Sequence, residues 1–176
     1  MIRVLGGKYK NRKLKYFKFN NVRPTQSRVK KSLFDTLINI ENKDVLDLFC
    51  GVGTLGIEAL SRGAKSVTFV DNNYNAISIL KKNLSLLSIT DNYTIRHIDV
   101  MKFFSINDIS FDIIIADPPY NRFSFIDLMP FITEILGKDG LFCYETSSKE
   151  KEHLEKLNLK MKNFGSTQLI YWRKNE

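Results

Sequence analysis

Asp47-Leu48-Phe49-Cys50-Gly51-Val52-Gly53-Thr54-Leu55-Gly56 leaves an apolar run at 45–49 and enters a segment of helical periodicity at 55–62. Gly51, Gly53 and Gly56 fit G-x-G-x-x-G. Glycines at a strand-to-helix turn let the backbone bend sharply and approach a ligand closely, with the first helix amides facing it. Outward from this turn the chain alternates. Strands are predicted at 45–49, 66–71, 93–98, 111–116 and 141–145, with helices at 55–62, 74–87 and 125–136 between them. The strands are nearly continuous apolar runs, as a parallel sheet buried on both faces requires. Two more strands, 159–164 and 167–173, leave little room for a helix between them. They predict an antiparallel pair closing an otherwise parallel, doubly wound α/β sheet of Rossmann-like type. Right-handed crossovers fix the remaining connections.

The carboxylates around the glycine loop narrow its ligand. Asp71 ends the second strand, 20 residues after Gly51. A carboxylate there can accept both hydroxyl hydrogens of a ribose, which suits a nicotinamide cofactor or S-adenosylmethionine. Two features favour the second. Asp47 stands where dinucleotide sites carry plain apolar strand, and it suits the cationic amino group of a methionine moiety. No separate substrate domain follows, and nothing resembles a hydride-transfer acid or base. Asp99, just past the third strand, reads either as an acceptor for an adenine amino group, with Ile98 and Val100 walling the ring, or as the cap of a short helix at 101–104. No metal site is expected: Cys50 and Cys143 lack CxxC spacing.

Asp117-Pro118-Pro119-Tyr120 follows the fourth strand and reaches the same rim as the glycine loop. An exocyclic amine conjugated to a base ring is a poor nucleophile because its lone pair is delocalised. Asp117 and a carbonyl of the rigid proline pair can each accept one N–H. The lone pair is then aimed at a methyl donor, and the nitrogen is stabilised as it becomes cationic. Tyr120 is expected to stack on the base. Asp117, Pro118 and Tyr120 are therefore the expected catalytic residues. His97 reads as structural, His153 as solvated and Trp172 as packed in the last strand.

Charge is concentrated at one end. The formal net charge of the 176 residues is +8, yet residues 1–31 hold eleven Lys or Arg and no acid, and the remainder carries a net −3. Such a segment attracts a phosphate backbone by releasing its condensed counterions. Residues 2–5 and 14–19 predict a small basic hairpin, broken by Arg23-Pro24-Thr25, with Thr25 or Ser27 capping the next helix. That helix puts Val29, Leu33, Phe34, Leu37 and Ile38 on its apolar face, with Arg28, Lys30 and Lys31 expected to point elsewhere. The arm, 1–22, is expected to bind RNA through Arg3, Lys8, Lys10, Arg12 and Lys13, joined by Arg23 and Arg28 on a single domain spanning 23–176. With 43% hydrophobic residues a sizeable core is affordable. The first residues lack a signal-peptide run and no stretch approaches a membrane span, so a cytoplasmic protein without membrane association is expected.

With these residues in view, the chain resembles the bacterial 16S ribosomal RNA guanine-N2 methyltransferases, the RsmD family. The likeness runs through Arg3-Val4-Leu5-Gly6-Gly7-Lys8-Tyr9-Lys10, the block from Val22 to Phe34, the glycine loop, Ile57-Glu58-Ala59-Leu60-Ser61-Arg62-Gly63-Ala64, Asp117–Tyr120 and Phe164-Gly165-Ser166-Thr167. The Arg-Pro-Thr and Ser-Arg-Val-Lys block is its most specific part. The resemblance implies S-adenosylmethionine contacts from Asp47, Gly51, Gly53, Asp71 and Asp99, and base contacts from Asp117, Pro118 and Tyr120. It further implies ribosomal RNA contacts from the arm and Arg23, with a partly assembled small ribosomal subunit as substrate and a monomeric enzyme. Cys50 and Val52 depart from the usual Phe-Ala-Gly-Ser-Gly, Asp71 stands where Glu is frequent, and Lys31 replaces a common acid. Two other readings share the motifs: a DNA adenine-N6 methyltransferase, which normally carries an added recognition domain, and an RNA-binding module with a vestigial pocket.

Overall fold

The computed structural model describes residues 2–16, 27–37, 39–119, 122–148 and 159–174. The expectations placed on Arg23, Thr25, Ile38, Tyr120, His153 and positions 17–19 lie outside those residues. In chain order the elements are β1 (Ile2–Arg3), β2 (Lys13–Leu14), α1 (Ser27–Thr36), β3 (Asp44–Leu48), α2 (Thr54–Ser61), β4 (Ser66–Asp71), α3 (Tyr74–Leu86), β5 (Tyr93–His97), α4 (Val100–Ile106), β6 (Phe111–Ala116), α5 (Phe125–Ile135), β7 (Leu136–Ser147), β8 (Lys160–Phe164) and β9 (Thr167–Arg173).

Seven strands form one sheet in the order β5-β4-β3-β6-β7-β9-β8. The pairs β3–β4, β4–β5, β3–β6 and β6–β7 are parallel; β7–β9 and β8–β9 are antiparallel. The chain winds outward from β3 through β4 to β5, then returns to lay β6 on the other side of β3. The strand order reverses there, and in open α/β sheets ligands settle outside the strand ends at such a point. The predicted architecture, including the antiparallel last pair, is the observed one.

Alternation along the strands divides the core. Val45, Val67, Phe69, Ile113, Ile115 and Cys143 face one side, under α1, α2, α3 and the β1–β2 hairpin. Leu46, Leu48, Val70, Ile114, Ala116, Phe142 and Tyr144 face the other, under α4 and α5. At the edge, β5 is half-exposed, which is why its Thr94, Arg96 and His97 break the apolar run. β7 starts at Leu136 rather than 141; the extra residues, with Gly137 and Gly140 among them, are accommodated by a register shift between Phe111 and Ile113. Among the described residues the hairpin pairs Ile2 with Leu14 and Arg3 with Lys13. Ser27 lies within α1 and does not cap it. Among the described residues no helix is long and apolar enough to cross a membrane.

Lys30 corrects an expectation. It does not point away from the core with Arg28 and Lys31, but is only 2% exposed. Its ammonium lies 3.0 Å from Glu58 Oε2 and donates to the Arg3 carbonyl at 2.8 Å. A buried charge survives only when paired and hydrogen-bonded. Glu58, itself fully buried, supplies that pair and also accepts from Leu5 N (2.7 Å), Gly6 N (2.8 Å) and Arg62 Nε (2.9 Å). The long lysine stem covers apolar surface while its head reaches this anion. Periodicity places a lysine on a face but cannot reveal an acid waiting beneath it.

Candidate functional site

The glycine loop is held open from below. Asp47, 1% exposed at the end of β3, accepts from Gly56 N at 2.8 Å and thereby ties the strand to the first turn of α2. Gly56 allows that approach, since a Cβ there would lie 2.2 Å from Phe69 Cε1 and 2.9 Å from Asp47 Oδ2. Gly53 takes φ 83 at the start of α2, a conformation that side chains rarely adopt. Cys50 N donates to Val70 O at 3.0 Å, fixing the loop against β4. Phe49 also sits at positive φ, 58°, with its ring 5.0 Å from that of Phe123.

The acidic strand ends then fall into place around the loop. Asp71 accepts from Gly51 N and from Asn73 N, each at 2.8 Å, and remains partly exposed. It does not cap α3; Asn73 does, accepting from Asn75 N and Ala76 N. Asp99 is the cap of α4, accepting from Met101 N at 2.9 Å and Lys102 N at 3.4 Å, with Ile98 partly and Val100 fully buried beside it. His97 meets the Asn72 carbonyl, at 3.1 Å, and the Tyr74 ring. Trp172 packs at the margin of the second core half.

Asp117 and the buried Pro118 follow β6 directly. Ala116 pairs with Tyr144 across β6–β7, so the next residues, Asp117 and Glu145, are neighbours, and alternation puts both on the face that carries Asp47. These groups feel one another. Burial, with added repulsion from Asp117 and Asp71, pushes the Asp47 carboxyl up to about 8 against the opposing Gly56 hydrogen bond. Burial and then Asp117 push Glu145 up to about 9. Such a site favours a bound cation, whose charge relieves the repulsion. Glu145 was not singled out in the sequence. The signal was present: an acid ending a buried strand beside that of Asp117 obeys the logic that selected Asp47.

Arg3, Lys8, Lys10, Arg12, Lys13 and Arg28 are all exposed. The hairpin's backbone, by contrast, is anchored. Besides the Glu58 bonds, Tyr9 N donates to Ser61 Oγ at 2.9 Å and Lys8 N to Ser61 O at 2.7 Å. The buried Asn83 accepts from Lys15 N at 2.7 Å and donates, at 3.0 Å each, to the carbonyls of Lys15 and Val52. One side chain thus joins the end of the hairpin to the glycine loop. Sequence reading missed Asn83, because an amide in a helix of mixed polarity gives no sign of its partners.

Sheet order, glycine loop and acidic strand ends together define a protein of the Rossmann-like, S-adenosylmethionine-dependent methyltransferase fold. More particularly, the chain belongs to the family described as Conserved hypothetical protein 95, which matches residues 2–173. It is 40% identical over 121 residues to Ribosomal RNA small subunit methyltransferase D of Buchnera aphidicola subsp. Baizongia pistaciae, covering 68% of this chain and 61% of that protein. The protein of the same name from Haemophilus influenzae is 37% identical over 128 residues, 68% of this chain and 64% of the other. The chain thus spans less than two thirds of the length of these two relatives. The solved structure of yhhF from Escherichia coli superimposes with a TM-score of 0.86 at 27% identity, over 99% of this chain and 98% of that one.

Proposed function

We propose that this chain uses S-adenosylmethionine to methylate the exocyclic N2 amine of a guanine in small-subunit (16S) ribosomal RNA. The observation that carries the reading is the position of Asp117 and Pro118 at the end of β6, next to β3 and its glycine loop. The names of the relatives support ribosomal RNA as the substrate class.

The residues fit the cofactor. A side chain added at Gly51 would meet nothing within 4 Å, so that side of the loop has space, and the mutually repelling Asp47, Asp71 and Asp117 suit a cationic ligand. Asp47, Gly51, Gly53 and Asp71 would hold it, with Asp99 at the adenine end in addition to its capping role. When bound, S-adenosylmethionine supplies an electrophilic methyl group on a sulfonium. Asp117 and the Pro118 carbonyl each hold one N–H of the target amine, which turns its lone pair out of conjugation and towards the donor. The Asp117 carboxylate then stabilises the positive charge that grows on nitrogen, and the proline pair keeps both acceptors fixed in advance. Tyr120 stacks on the base.

RNA would be held by Arg3, Lys8, Lys10, Arg12, Lys13, Arg23 and Arg28, with residues 1–22 acting as the recognition arm of the 23–176 body. A partly assembled small subunit in the cytoplasm is the proposed substrate, and a monomer the proposed working form. Incubation with labelled S-adenosylmethionine and, separately, small-subunit RNA, small-subunit particles and duplex DNA tests the reading. N2-methylguanosine from RNA or particles is expected. Label recovered as N6-methyladenine from DNA, or no transfer to any substrate, would overturn it.

A further inference from the structure

Glu145 has no part in the chemistry above, yet its situation demands an explanation. It is 6% exposed, and its Oε2 has no hydrogen-bond partner among the described residues. A buried polar atom left without a partner costs about 1–3 kcal/mol, and more for a charged group. An apolar residue of similar shape would avoid that cost, so packing gives no reason for a carboxyl here. Its neighbours offer no relief. Just past the end of the adjoining β6 lies Asp117, another acid. On β9, Tyr171 faces the same half of the core, but it lies opposite Cys143, and Glu145 itself lies opposite the apolar Leu169. Among the described residues, the five ion pairs all involve other acids: Asp35, Asp44, Glu58 and Asp112.

The unused acceptor lies one strand over from the group that holds the target amine. Neighbouring strands are about 4.8 Å apart, so the two carboxyl-bearing positions fall within the span of one purine. The edge of guanine carries two adjacent donors, the N2 amine and the ring N1–H. Adenine and 2-aminopurine carry a bare acceptor at N1. We propose that Glu145 is the specificity-determining residue of the target-base site: its unsatisfied carboxyl oxygen receives the N1–H of the guanine whose N2 is held at Asp117, and so rejects purines without that hydrogen. This deepens the guanine-N2 reading and rests on it. The cationic amino group of the bound cofactor favours the carboxylate form of Glu145, which only accepts, whereas a neutral carboxyl could donate its own O–H to a bare N1. Rejection follows because a purine without N1–H leaves that oxygen unpaired and sets a second lone pair against it.

Three nucleosides separate the contacts. Guanosine has both donors, inosine keeps N1–H but lacks the amine, and 2-aminopurine riboside keeps the amine but lacks N1–H. Their affinities for the protein loaded with S-adenosylhomocysteine are to be measured by ligand-observed NMR. The variants are Glu145→Met, which removes the acceptor, and Glu145→Gln, whose amide oxygen restores it. The wild type is expected to bind guanosine at least about tenfold more tightly than 2-aminopurine riboside, and to bind inosine, which leaves the acceptors at Asp117 and Pro118 unpaired, more weakly than guanosine. Glu145→Met should weaken guanosine and inosine by about tenfold, tighten 2-aminopurine riboside, leave S-adenosylhomocysteine unchanged, and raise the melting temperature. Glu145→Gln should recover most of the guanosine affinity. A merely structural Glu145 would give a Met variant of lower melting temperature with all three affinities in their wild-type ratio, and that overturns the inference. So does a wild type that binds guanosine no better than 2-aminopurine riboside, including one that detectably binds neither. The methylation assay on small-subunit RNA and particles reads the underlying function independently. Guanine-N2 transfer by a wild type that lacks nucleoside discrimination sinks the role of Glu145 alone, whereas no transfer at all sinks the function.

Discussion

At the scale of single residues, the rim is defined by what each carboxyl already does. Asp99 spends one oxygen on a helix cap, Asp71 divides its two oxygens between Gly51 and Asn73, and Asp47 is committed to Gly56. Asp117 is the acid delivered by the proline turn, and its proposed role is strongest when nitrogen becomes cationic. Asp117→Ala should therefore lower single-turnover methylation by about 100- to 1000-fold while changing cofactor and RNA affinity far less. Asp117→Asn should retain part of the rate, since its amide oxygen still accepts an N–H without the full charge. An alanine variant that methylates at the wild-type rate would reduce Asp-Pro-Pro-Tyr to a turn. Most of this rim was legible in the sequence, because each acid stands at or just past the end of a strand that the apolar pattern delimits. Lys30 and Glu145 were not legible. The pairing of one and the isolation of the other depend on contacts made across the fold, 28 residues away in the case of Lys30 and Glu58.

At the scale of elements, α2 does two jobs. Its first turn receives the glycine loop, and its last turn binds the hairpin through Glu58 and Ser61. Removing Glu58 strands a buried lysine and two backbone amides together. Glu58→Ala should cost about 3–5 kcal/mol, read as a lower urea midpoint, whereas Lys31→Ala, at an exposed pair with Asp35, should leave that midpoint in place. For the same reason, deleting the hairpin is a poor probe of RNA binding, since it opens these contacts. Charge substitution is the cleaner test. Lys8→Gln, Lys10→Gln and Lys13→Gln combined should preserve the melting temperature and the cofactor affinity. If all three contact phosphate, the slope of log affinity against log salt should shrink by roughly 2. An unchanged slope would make these lysines a compositional accident. The hairpin itself was foreseen from Gly6-Gly7 and the flanking apolar residues. Its attachment was not, because backbone amides make it and amides leave no mark on sequence pattern.

At the scale of the whole molecule, charge is segregated: residues 1–31 carry only cations, residues 32–176 carry a net −3, and the rim holds buried carboxyls. Asp47 and Glu145 titrate near 8 and 9 in the fold but close to 4 in the unfolded chain. The folded state therefore binds more protons than the unfolded one between about pH 4 and 9. Stability in that window falls as pH rises, by up to about 1.4 kcal/mol per pH unit for each of the two groups. Without cofactor, the melting temperature should decline from pH 6 to pH 9, and Glu145→Met should flatten the decline. A melting temperature that climbs over this range would contradict the assignment. Asn83, finally, sets a rule for anyone building chimeras. With its amide clasping both Lys15 and Val52, the first sixteen residues cannot be transplanted between homologues as a cassette. The graft must bring positions 58, 61 and 83 of the recipient into agreement with it, or the new arm arrives without its sockets.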